Sequence, residues 1–251
     1  MRVKNSFLFQ FSQCIRPMII FYSVILAITT LSCISIFAYE SDVSTVMTVS
    51  GWDFAGLIFL FVTGCVTTSE GFPVHLQNSI SRKSYFIGKI LSVSAISAIM
   101  TIMYTFVFQL LLETVFFGSK VFQVESILHL FYFETDEPTI ISTLWSSAVL
   151  FVLSLFITML GVFFSGIFYR VGTITKVTIA AGIPLLFLVV LPIIDSAFLE
   201  GTLYYKIFDF FANILGVFEQ LPWKGCLSFG VLFIVTTLLS WLVYRRMPMK
   251  R

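Results

Sequence analysis

Residues Glu70–Lys89, EGFPVHLQNSISRKSYFIGK, form the most polar internal segment of the chain and lie between two long apolar runs. Pro73 suits the first turn of a helix, where a missing N–H costs nothing, and Ser69 stands where it would cap that turn. Val74, Leu76 and Ile80 are apolar among His75, Gln77, Asn78, Ser79, Ser81, Arg82 and Lys83. The pattern predicts a short helix, too polar to cross a bilayer, that presses apolar tips into a partner while its polar flank stays wet. Arg82 and Lys83 then hold the next apolar helix at the inner face. A solvated loop with ordinary flanking charge is the plainer reading of the same residues.

The surroundings of this segment are lipid-soluble. Of 251 residues, 58% are hydrophobic and 11% charged, and 30 are Phe, whereas soluble domains are about 25% charged. The expected class is an all-α, polytopic membrane protein. A span needs about 20 apolar residues, which yields six transmembrane helices at roughly 18–39, 52–69, 86–117, 140–168, 177–195 and 226–244. The fifth carries Gly182, Pro184 and Pro192, so a kink is expected there. Residues 2–16 place Val3, Phe7, Leu8, Phe11, Cys14 and Ile15 on one helical face and Asn5, Ser6, Gln10, Ser12, Gln13 and Arg16 mainly on the other. That predicts an amphipathic interfacial helix along the inner leaflet. The run from Pro17 to Tyr39 is long enough to span and no small-x-small cleavage site follows, so it reads as a retained helix. Cys14, Cys33, Cys65 and Cys226 are scattered singly, and no disulfide is expected.

Charge sets the orientation. With both termini cytoplasmic, 12 of the 15 basic residues fall inside, leaving Lys120, Lys206 and Lys224 outside. Glu70 is the single acid on the inner side. Trp52, Trp145 and Trp223 then mark the outer interface, and Tyr85, Tyr169, Trp241 and Tyr244 the inner one. Two outer segments stand out. Residues 118–139 end in an acidic run, Glu134, Asp136 and Glu137. Residues 196–225 are strongly aromatic yet interrupted by charge, which suits helices dipping part-way into the outer leaflet.

Catalytic chemistry is sparse. His75 and His129 fall on opposite sides of the membrane and cannot share a metal, and neither HExxH nor GxSxG occurs. No catalytic or metal-binding residue is assigned. The middles of the six spans hold no ionisable group of the kind that binds a coupling ion. There is no GxxxxGK[ST] loop, so residues 1–251 read as a single transmembrane domain without a nucleotide-binding domain.

The layout resembles the ABC-2-type (type V) exporter permeases, and within them the small permease subunits of Gram-positive bacteria that pair with separate ATPase chains. Exporters of amphipathic peptides, including phenol-soluble modulin exporters, are of this kind. The likeness rests on Glu70, Phe72, Pro73, Leu76, Gln77, Asn78, Ser81, Arg82, Lys83 and Gly88. The resemblance implies a cytoplasmic coupling helix at about 71–83, headed by Glu70 and docked on an ABC ATPase subunit that also contacts the N-terminal helix. Val74, Leu76 and Ile80 would be buried knobs there, and His75, Asn78 and Arg82 a polar rim. It further implies a second permease, identical or a sibling, in a bacterial cytoplasmic membrane. The partner ATPase would hold ATP and Mg, with no cofactor in this chain and no nucleic acid involved. The expected function is the permease half of an exporter of hydrophobic or amphipathic cargo, most naturally peptides. The alternative is a non-transporting sensor or immunity protein that sequesters an antimicrobial peptide.

Overall fold

Where no water can satisfy backbone amides, a segment must pair its own N–H and C=O groups, and a helix does so. The computed structural model describes residues 2–38, 46–78, 80–111, 114–117, 120–133, 140–172, 175–176, 178, 182, 185–198 and 202–247, and helix dominates them. The order is α1 (Arg2–Ala38), β1 (Val46–Ser50), α2 (Trp52–Gln77), α3 (Arg82–Tyr104, continued by a π-helical stretch Thr105–Leu111), β2 (Thr114–Phe117), β3 (Lys120–Glu125), α4 (Ile127–Phe133) and α5 (Ile140–Arg170). A π-helical stretch Leu186–Val190 then leads into α6 (Leu191–Phe198), followed by α7 (Thr202–Leu215) and α8 (Pro222–Arg245). Among the described residues, four helical stretches are long and apolar enough to cross a membrane: Val3–Ser35, Arg82–Gln109, Ile140–Arg170 and Pro222–Arg245. Trp52–Thr67, within α2, is a shorter apolar helix. The architecture is all-α in class and compatible with a membrane-embedded protein.

Side-chain contacts give the helix directions. Ser92 Oγ donates to Phe7 O at 3.2 Å and Tyr22 OH to Met100 O at 3.2 Å, so α1 and α3 run parallel. Cys65 Sγ donates to Gly161 O at 3.3 Å and, further along both helices, Phe72 packs on Tyr169 at 6.0 Å, so α2 and α5 run parallel. Phe156 stacks on Phe229 while Tyr244 OH reaches Val162 O, so α8 follows α5. The opposite sense of α3 and α8 brings Arg82 to Arg245 and Phe86 to Trp241. The start of α1 and the end of α8 therefore meet at one end of the bundle, beside the α2–α3 turn.

Several expectations are corrected. Residues 2–16 are not a separate element, because α1 runs unbroken through Pro17. At about 1.5 Å per residue its 37 residues extend roughly 55 Å. Its polar side, Ser6 and Gln10, is buried against α3, whereas Leu8 and Phe9 point outward. Gln10 Nε2 finds acceptors inside, Ser6 Oγ at 2.9 Å and Tyr85 O at 3.2 Å, and lipid offers it none. The third apolar run ends as helix at Leu111, not 117. Thr114–Phe117, rich in β-branched and aromatic residues, pairs instead with β3. A three-stranded sheet in the order β1-β3-β2 results, β1 parallel and β2 antiparallel to β3. Residues 177, 179–181 and 183–184 of the expected fifth span, Pro184 among them, and the acidic run 134–139 lie outside the described residues.

α2 and α5 approach each other backbone to backbone. A Cβ on Gly64 would lie 2.4 Å from Thr158 O, and one on Gly161 2.3 Å from Phe61 O. Both neighbours are backbone and cannot swing aside, so only glycine permits this approach. Gly161→Leu is expected to cost about 1–3 kcal/mol or more, and to lower the unfolding midpoint in detergent by about 5 °C. Gly172→Leu, where a Cβ meets open space, should leave the midpoint unchanged.

Candidate functional site at the α2–α3 turn

The expected break near Ser69 is absent. α2 continues through Pro73 to Gln77, so 71–83 is not a helix of its own. Residues 71–77 are the last two turns of α2, and Arg82 and Lys83 open α3. Between them, Asn78 N donates to Val74 O at 3.2 Å and Ile80 N to His75 O at 3.0 Å. Ser81, not Ser69, is the cap, its Oγ accepting from Ser84 N at 3.2 Å as expected of an N-cap serine. Proline removes one ladder bond, and packing on both sides of Pro73 holds the helix together regardless.

Phe72 supplies that packing. It is fully buried, with ring centroids of Tyr85, Tyr244 and Tyr169 at 5.3, 5.6 and 6.0 Å in edge-to-face geometry. The tyrosines read from sequence as an inner interfacial girdle thus pack inside the bundle around Phe72, together with Phe86 and Met247. Two arginines close the same end. Arg82 Nη1 donates to Arg245 O and Arg170 Nη2 to Val243 O, each at 2.7 Å. Both satisfy carbonyls in the last turn of α8, where a cation also complements the helix dipole.

The predicted knobs and rim sort differently from expectation. His75 is buried, not a rim residue, and its Nδ1 lies 2.7 Å from Gly71 O. A carbonyl only accepts, so Nδ1 carries the proton. The ring packs edge-on to Phe9 (4.9 Å) and Tyr85 (5.0 Å). Ile80 is drawn onto the Phe72 cluster, Pro73 and Arg82 are half-buried, and Val74, Asn78 and Lys83 are exposed. The side chains of Glu70 and Leu76 lie outside the described part of the structure. Between the start of α1 and the turn is a cleft of about 140 Å³, lined by Asn5, Phe9, Val74, His75, Asn78 and Ile80. Four of the predicted residues, Val74, His75, Asn78 and Ile80, therefore converge on one depression, and α1 adds two.

Sequence reading counted Lys89 among the basic residues of the inner side. It is instead buried between α1, α2 and α3, with Nζ donating to Thr67 Oγ1 at 2.8 Å. The signal was its register. Tyr85, Lys89, Ser92 and Ile96 recur at helical spacing and all are buried. Compared with known proteins, the chain matches no family model, no curated protein and no solved structure.

Phe72→Ala is expected to cost about 3–5 kcal/mol, read as loss of folded protein from detergent extracts. Val74→Ala, two residues on but exposed, should shift stability by less than about 0.5 kcal/mol.

Proposed function

We propose that the chain is the permease half of an ATP-driven exporter, a six-span protein of the bacterial plasma membrane with both termini cytoplasmic. Its cargo is hydrophobic or amphipathic, peptides above all, and a separate ABC ATPase supplies the energy. One observation carries the reading: the start of α1, the α2–α3 turn and the end of α8 share one end of the bundle, where a cleft opens between α1 and the turn. Lys4, Arg82, Lys83, Arg170, Arg245 and Arg246 gather at that end, and basic residues favour the cytoplasmic side. Val74 and Asn78 face outward beside His75 and Ile80, which packing holds in place, and this suits a rigid docking surface. A second permease, identical or a sibling, completes the pathway on this reading.

A second reading is favoured by α7, which exposes Tyr205, Phe210 and Phe211 at the opposite end of the bundle. Such a face suits capture of an antimicrobial peptide by a protein that transports nothing. The two separate by expressing the chain with and without its ATPase and measuring peptide resistance. The exporter requires both chains, whereas the sequestering protein protects alone.

The docking claim is tested by Val74→Asp combined with Asn78→Arg, which changes the exposed rim and spares Phe72 and Arg82. Capture of the ATPase and cargo-stimulated ATP turnover should both be lost, at unchanged unfolding midpoint. Wild-type capture and turnover in the folded double variant would remove the coupling role from this turn.

A further inference from the structure

In the half of the bundle away from the α2–α3 turn, α2, α4, α5, α7 and α8 border a half-open chamber of about 500 Å³. Leu57, Phe61, Leu153, Phe211, Ala212 and Phe229 represent its walls, and every lining side chain is apolar except Tyr132. The Tyr132 hydroxyl is spent on Leu215 O at 3.0 Å. Burial pushes this phenol up to about 12, so it remains a donor at ordinary pH. Gly225 makes room for it, since a Cβ there would lie 2.2 Å from the hydroxyl oxygen.

Polar contacts hold the chamber at its corners. Asp53, fully buried, accepts from Ser126 Oγ (3.2 Å) and Leu128 N (3.3 Å) at the start of α4. Tyr132 ties the end of α4 to the last turn of α7. Asp195 accepts from Leu203 N (3.0 Å) at the start of α7, and Ser228 Oγ donates to Ile214 O (2.9 Å) near its end. Both short walls are thus fixed at both ends, and the space between them is preformed.

We propose that this chamber binds one acyl chain of an anionic membrane lipid. Its size falls among ligand sites, which run from about 300 to 1,000 Å³. Water needs two to four polar partners to stay, and the interior supplies none. A ligand carrying hydrogen-bonding groups would strand them there. A hydrocarbon chain strands nothing and is the solvent around a bundle of this composition. The headgroup end is marked by a second depression on α7, lined by Thr202, Leu203, Lys206, Ile207, Phe210 and Phe211. Phe211 is shared by both walls, so a cation, Lys206, stands across one ring from the apolar chamber. The inference stands apart from the exporter reading, because it needs neither ATPase nor cargo.

The test is photolabelling of the purified full chain in phosphatidylglycerol vesicles doped with a lipid carrying a diazirine on its acyl chain, followed by peptide mapping. Label should concentrate on the α2, α5 and α7 segments around Leu57, Leu153 and Ala212, above the outward-facing Ile19, Leu31 and Ile141. Ala212→Trp, which fills the chamber, should lower chamber labelling about tenfold and leave the outer positions unchanged. Lys206→Glu should weaken labelling by phosphatidylglycerol but not by phosphatidylcholine. Even labelling over inner and outer faces of the wild-type chain overturns the proposal without any variant having to fold. So does a chamber that only a photoreactive amphipathic peptide reaches, which would make it a cargo site.

Discussion

The unbroken run of α2 from Trp52 to Gln77 is the constraint on which the other contacts depend. It survives Pro73 because Phe72 is gripped by Tyr85, Tyr169 and Tyr244, and because Gly64 and Gly161 let α2 lie directly on α5. Were α2 to end near Ser69, Phe72 would leave the cluster, Ile80 would lose its seat and Arg82 would no longer face the end of α8. The aromatic cluster, the arginine caps and the cleft by Val74 therefore follow from one helix not stopping.

A second constraint is that polar groups in an apolar surrounding turn inward. Ser6, Gln10, Thr29, Thr67, Lys89, Ser92 and Ser97 are all buried, while Ile19, Ile20, Leu31 and Ile34 are among the most exposed side chains of α1. In a soluble helix the same pattern would be inside out. It is also what makes the α1–α3 seam specific. Each buried hydroxyl or amide admits few partners, and Tyr22 to Met100 O and Ser92 to Phe7 O set the register.

How much of this was legible from sequence varies with the physical cause. α5 and α8 were readable almost to their ends, expected at 140–168 and 226–244 and observed as Ile140–Arg170 and Pro222–Arg245, because charges and a proline bound uniformly apolar runs. The α2 boundary was not, since Pro73 reads equally well as a first-turn residue or as a tolerated interior one, and only tertiary packing decides. The amphipathicity of 2–16 was visible, but periodicity cannot say whether the polar side meets water or another helix. Thr114–Phe117 looked like more span, because a short apolar run has no period of its own and its strand partner is remote in sequence. Of the candidate site, the location was legible and the roles were not. The family resemblance implied that His75 and Arg82 were rim residues, yet each has an acceptor within the chain. Asp53 and Tyr132, which frame the chamber, carry no local pattern, because their partners are about 75 and 83 residues away.

The two candidate sites are the two ends of a single element. Leu57, Ile58 and Phe61 of α2 line the chamber, and Val74 and His75 of α2 line the cleft, with one helix of about 39 Å between its ends. Near its middle, Gly64 and Cys65 bear on the backbone of α5 at Gly161. Side chains elsewhere can change rotamer to absorb a small displacement, but backbone against backbone cannot. A force applied at Val74–Asn78 therefore reaches the chamber wall as movement of a rod about that contact, not as loosening along the way. Such mechanical continuity is a route for coupling. It does explain why a docking surface on a rigid turn would be worth having in a molecule with an apolar chamber at the far end of the same helix.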